Sequence, residues 1–84
     1  MSYNLIMKNL FAERLTQLLE ENNLSKRALA RKVGVSAMSI SDWSTGKIQP
    51  IAENIYLIAE YFSVSSDYLL GLEDESGRKT YTRK

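Results

Sequence analysis

Ser25-Lys26-Arg27-Ala28-Leu29-Ala30-Arg31-Lys32-Val33-Gly34-Val35-Ser36-Ala37-Met38-Ser39-Ile40-Ser41-Asp42-Trp43-Ser44-Thr45-Gly46 is the stretch whose periodicity decides the fold. Ser25 suits an N-cap, because its hydroxyl can accept from the free amides of a following helix. Leu29 and Val33 lie one helical turn apart and face inward with Ala30, while Lys26, Arg27, Arg31 and Lys32 face out. Gly34 suits the left-handed residue that ends a helix. Val35 follows, and Ser36 restarts the chain as a second cap. The second helix runs to Thr45 and stops before Gly46. At about 100° per residue, Ile40 and Trp43 fall together on its inner side. Ala37, Ser41 and Thr45 fall opposite, flanked by Met38 and Asp42.

Helical periodicity extends outward from this pair in both directions. Phe11, Leu15, Leu18 and Leu19 form one apolar stripe and predict a helix over 9–22, stopped at Asn22-Asn23. After Pro50, the residues Ala52, Ile55, Ile58, Ala59 and Phe62 predict an inward stripe on a helix over 52–62. A last short helix begins near Ser65, spans Asp67-Tyr68-Leu69-Leu70 and ends at Gly71. No alternating run of strand character intervenes. The expectation is an all-α protein, a bundle of five helices over 9–72. Residues 1–8 form an N-terminal extension whose Leu5, Ile6 and Met7 either lengthen the first helix or pack on the domain. Residues 73–84, nearly all polar or charged, are expected to be a disordered tail.

Composition excludes several kinds of chemistry. The 84 residues include no cysteine and no histidine. Disulfides, thiolate metal sites and imidazole acid–base pairs therefore have no residues to build them. No metal site, cofactor or catalytic role is expected. The longest apolar run, Ile55-Tyr56-Leu57-Ile58-Ala59, is five residues. A membrane-spanning helix needs about twenty, and no secretory signal pattern is present, so a cytoplasmic protein without membrane contact is expected.

The net charge of +1 conceals a strong asymmetry. Residues 25–50 carry Lys26, Arg27, Arg31, Lys32 and Lys47 against Asp42 alone, net +4. Residues 51–75 carry six acids and no base, and residues 76–84 are net +4 again. The basic unit is thus the same as the helix–turn–helix pair. Two short crossing helices joined by a tight turn, with cations beside them, suit the major groove and phosphates of double-stranded DNA.

The wider pattern resembles a known family. It consists of Phe11, Arg14-Leu15, Leu18, Leu24-Ser25, Leu29-Ala30, Val33-Gly34-Val35-Ser36, Ser39-Ile40-Ser41, Trp43, Gly46-Lys47 and Pro50. It continues with Leu57-Ile58-Ala59, Tyr61-Phe62, Val64-Ser65 and Asp67-Tyr68-Leu69-Leu70-Gly71. In this order these stretches resemble the Cro/repressor-type, Xre-like helix-turn-helix proteins of phages and bacteria. The resemblance implies a lambda-repressor-like five-helix domain whose third helix reads DNA, acting as a transcriptional regulator, most often a repressor. Its base-reading positions fall at Ala37, Met38, Ser41 and Asp42, with Ser36 contacting backbone or a base edge. Its phosphate positions fall at Ser25, Lys26, Thr45 and Lys47, and Arg27 beside Lys26 joins them.

The chain departs from the family at three places. Lys26 stands where glutamine is usual, Ser44 where a glutamate often pairs with the residue matching Arg14, and Ile51 where Ser or Thr caps the fourth helix. Arg14 must then find another partner or solvent. The reading face offers no Arg, Gln or Asn, so direct readout is expected to be modest. Ala37 and Met38 suit thymine methyls, and Asp42 suits a cytosine amine. Affinity then depends on a homodimer on a near-palindromic operator. Ile48, Ile51, Leu57, Tyr68 and Leu72 are the residues expected to form that interface. The alternative is a protein-binding module on the same fold, such as an antitoxin that autoregulates its operon. Its protein partner would be a toxin, or for a phage regulator an antirepressor.

Overall fold

A short helix cannot hold itself in water, so each segment must bury its apolar stripe against a neighbour. The computed structural model describes the backbone of residues 3–74 and the side chains of residues 10–74. Five helices are present among them: α1 (Tyr3–Glu21), α2 (Lys26–Val33), α3 (Ala37–Ser44), α4 (Ala52–Phe62) and α5 (Ser66–Leu69). Each contributes to one core. Phe11 and Leu15 from α1, Leu29 from α2, Ile40 from α3, Ile58 from α4 and Leu69 from α5 are fully buried. Trp43 lies in the same cluster, as expected from its inward register. α3 packs on α1 and α2, and α5 packs on α1 and α4.

The helix ends follow their residue chemistry. Ser25, Ser36 and Ser65 each accept a backbone amide, from Ala28, Ser39 and Tyr68 respectively. Gly34 closes α2 at φ 81° and donates its amide to the Ala30 carbonyl. Asn23, at φ 50°, takes the left-handed turn after α1. α4 is poorly finished at both ends. Ile51 provides no side-chain cap, and Ser63 takes a left-handed φ of 59° that favours glycine.

The structure decides one question the sequence left open and differs from the sequence reading at two residues. α1 begins at Tyr3, so residues 3–8 lengthen the first helix. Ala52 is exposed and does not belong to the inward stripe of α4, because its position in the first turn precedes the packed surface. Glu73 is tied to the domain: its carboxylate accepts from Ser65 Oγ at 2.7 Å and its carbonyl accepts from Arg14 at 2.7 Å. The tail expected to be disordered therefore begins after Glu73 at the earliest, and residues 75–84 lie outside the described residues.

Candidate nucleic-acid interface

α2 and α3 are positioned by burying Leu29, Ala30, Ile40 and Trp43, which leaves their other faces to solvent. Lys26 and Arg27 occupy the exposed first turn of α2. Ser25 precedes them. Its hydroxyl oxygen accepts from Ala28 N at 3.0 Å and keeps its proton for an outside acceptor. Thr45 and Lys47, beyond the end of α3, are also exposed. One open depression brings the two groups together. Ser25, Lys26 and Thr45 line it with Leu24, Asn23 and Glu20. Three of the five expected phosphate residues, Ser25, Lys26 and Thr45, thus line a single concavity, and Lys47 lies two residues beyond Thr45 in the chain. Arg27 and Arg31 instead line a shallow groove with Ala37 on the other side of α2. The Lys32 ammonium lies 6.0 Å from the Tyr61 ring on α4, away from this edge.

Glu20 is the residue sequence reasoning missed. Its place on the outer side of the α1 stripe marks it only as helix charge, yet it lines the same depression as Lys26. Only the docking of α1 against the α2–α3 pair puts it there. The Thr45 hydroxyl donates to the Ser41 carbonyl at 2.9 Å, so a phosphate contact through that hydroxyl requires it to turn away from the helix.

The reading face is more uneven than its wheel suggests. Met38 is 73% exposed in the first turn of α3. Ser41 and Asp42 are half-exposed one turn further on. Ala37 is half-buried and packed against the core, so its methyl is largely spent on folding. Ser36 is exposed, but its hydroxyl is engaged with Ser39.

Of the expected dimer residues, Ile48 and Ile51, in the segment before α4, are exposed. Leu57, Tyr68 and Leu72 are half-buried. The Tyr68 ring already carries the Arg14 guanidinium, 4.4 Å from its centroid, so one of its faces is occupied. Tyr56 adds an exposed aromatic on α4, and its hydroxyl donates to Glu60 at 3.0 Å. The neighbouring carboxylate raises the Tyr56 phenol above its ordinary pKa, first through that hydrogen bond and then through charge.

Among the described residues, no group of three or more acidic, histidine or cysteine side chains is placed to hold a metal ion. No helix among them is long and apolar enough to cross a membrane.

A family model described as Helix-turn-helix matches residues 15–69, and the chain belongs to that family, in its Cro/repressor-type, Xre-like branch. Over 64 residues it is 41% identical to the HTH-type transcriptional activator BcrR of Enterococcus faecalis, spanning 76% of this chain and 31% of that protein. Over 61 residues it is 33% identical to Repressor protein C2 of Salmonella phage P22, spanning 73% of this chain and 28% of that protein. The chain therefore spans about a third or less of these two curated relatives. The crystal structure of the P22 c2 repressor with a synthetic operator superposes with a TM-score of 0.69 at 32% identity, covering 71% of this chain and 91% of that one.

Proposed function

We propose that this chain is a sequence-specific, double-stranded-DNA-binding transcriptional regulator that inserts α3 into the major groove as a homodimer. The observation that carries the reading is the shared edge of α2 and α3. There Ser25, Lys26 and Thr45 surround one depression, Lys47 follows, and Met38 projects from the helix between them. Cations at that edge suit phosphates, and a helix of eight residues fits the groove. The likeness to a repressor crystallised with its operator supports the same docking. Relatives of both regulatory signs, an activator and a phage repressor, share this domain. A phage-type repressor is the particular form we propose, because C2 resembles the chain in both sequence and structure.

Dimerisation follows from an uncovered patch. Ile51 is 65% exposed beside Ile48, and it occupies a cap position where a polar residue would serve the monomer better. A second copy would cover both.

Selection of bound DNA from a random-sequence pool tests the proposal. Enrichment of a near-palindrome with half-site centres about 34 Å apart is the expected result. Recovery of unenriched sequence would refute it. Lys26→Ala and Lys47→Ala should each weaken binding to all sequences and lower the salt slope by about 1.

A further inference from the structure

We propose that Met38 is a redox-modification site, at which a peroxide converts the thioether to a sulfoxide and so releases the chain from its operator without unfolding it. The inference rests on the reading that α3 meets DNA.

Sulfur chemistry in this chain falls to methionine, because the 84 residues include three methionines and no cysteine. Met1 and Met7 lie outside the described side chains, and Met38 is the methionine that remains. At 73% exposed it is the most open large apolar side chain among the described residues. A small oxidant therefore reaches it from solvent. Met38 is also separate from the core cluster, against which its neighbour Ala37 packs. A change of polarity there leaves the apolar contacts of the fold as they are. Trp43, another oxidisable side chain of the same helix, is buried in that core. Oxidation of α3 thus falls on its outer face.

The reaction is a transfer of one oxygen atom. The sulfur lone pair attacks a peroxide oxygen, an S–O bond forms, the O–O bond breaks and water leaves. Sulfur is oxidised and the peroxide is reduced. Methionine sulfoxide reductases reverse the change, spending a pair of thiols and releasing water. The product is a polar side chain in place of an apolar one. A thioether is only a weak acceptor, and it sheds water readily when a surface closes over it. A sulfoxide oxygen is a strong acceptor that holds water and needs a donor when that water is removed. The surroundings are poor in donors. Asp42, four residues on and on the same face, is a carboxylate and only accepts. Ser36 already gives its proton to Ser39 Oγ at 3.0 Å. The major groove shows more acceptors than donors, and the phosphates beside it are anions. Oxidised Met38 therefore penalises docking of α3, while Ser25, Lys26, Thr45 and Lys47 keep their chemistry.

The test treats the full 84-residue chain with hydrogen peroxide. Peptide mass spectrometry reads the added oxygen at each methionine, and fluorescence anisotropy reads binding to the operator recovered by selection. Oxidation at Met38 should weaken operator binding about tenfold, the factor for one acceptor buried without a donor. Binding to random DNA, its salt slope and the melting temperature should all hold. Reductases for the two sulfoxide epimers should restore the operator affinity. Met38→Leu keeps Met1 and Met7 but has no sulfur at position 38. Whatever its starting affinity, it should keep that affinity after peroxide. Unchanged operator binding by chain shown to be oxidised at Met38 overturns the inference. So does a Met38→Leu variant that loses affinity to peroxide as the parent does, or a loss that comes with a lower melting temperature. Oxidation of Met1 and Met7 that leaves Met38 reduced overturns it too. A pool from which the untreated chain enriches no DNA overturns the DNA-binding reading itself, and this inference with it.

Discussion

Arg14 has its guanidinium over the Tyr68 ring and donates to the carbonyls of Tyr68 and Glu73. The sequence leaves this arginine without its usual acidic partner, because position 44 is Ser44, which is buried. Tertiary packing supplies two backbone acceptors and an aromatic face instead. Arg14→Ala should lower unfolding free energy by about 1.5–3 kcal/mol, the range for hydrogen bonds to a charged group. Arg14→Lys should recover little of it, since an ammonium lacks the flat guanidinium that stacks on the Tyr68 ring while its Nη1 donates to both carbonyls. Chemical denaturation of the two variants measures this. Glu20 poses the opposite problem, an acid beside the depression where a phosphate would dock. Glu20→Gln should tighten binding to all DNA, with the gain shrinking as salt screens the charge. A titration at two salt concentrations that shows no gain at either would remove phosphate from that depression. Lys26 and Thr45 are singled out by their motif positions, and both line the depression. Glu20 is not, because its place depends on how α1 meets the other two helices.

At the scale of the element, α4 concentrates the avoidable costs. Its N-cap, Ile51, makes no side-chain hydrogen bond, and its C-cap, Ser63, adopts φ 59°. Ile51→Ser should stabilise the monomer by about 1 kcal/mol through the restored cap. Ser63→Gly should add about 1–2 kcal/mol by relieving the left-handed strain. The two changes part company in association: Ile51→Ser should also weaken the proposed homodimer, and Ser63→Gly should not. Melting curves and sedimentation at matched concentrations separate the effects. The glycines make a second contrast. Gly34 (φ 81°) faces open space, whereas a Cβ on Gly71 (φ 84°) would lie 2.5 Å from Leu10 Cδ1. Gly34→Ala should cost about 1–2 kcal/mol from backbone strain alone. Gly71→Ala should cost more, because the Leu10 side chain must also turn away from the new methyl. Both glycines read from sequence as helix stops, but the close approach at Gly71 follows only from the return of the chain against α1.

At the scale of the whole molecule, charge is sorted along the chain. The basic residues of α2 and Lys47 stand against six acids in residues 51–75, giving a nearly neutral total. Such a protein should bind non-specific DNA weakly and depend on two half-sites for affinity. Glu73, beyond α5, also belongs to the domain through its contacts with Arg14 and Ser65. Ending the chain at Leu72 should lower the melting temperature relative to ending it at Asp74. Equal melting of the two would show that the Glu73 contacts contribute nothing to stability.

Local chemistry decided most of the architecture. Serine caps, Gly34, and apolar residues at helical spacing are short-range signals, and they located α2, α3, α4 and α5 and nearly every core residue. The sequence alone also determined that no imidazole or thiol chemistry is available, since those residues are absent. It left the fate of each outward residue open. Ala37 and Met38 are adjacent and were read alike, yet one packs on the core and the other is exposed. Arg14 found carbonyls far along the chain, and Glu73 joined the fold. Those outcomes depend on how helices dock, and docking is set by shape and burial summed over the whole core. No local pattern carries that sum, so only the tertiary structure could decide them.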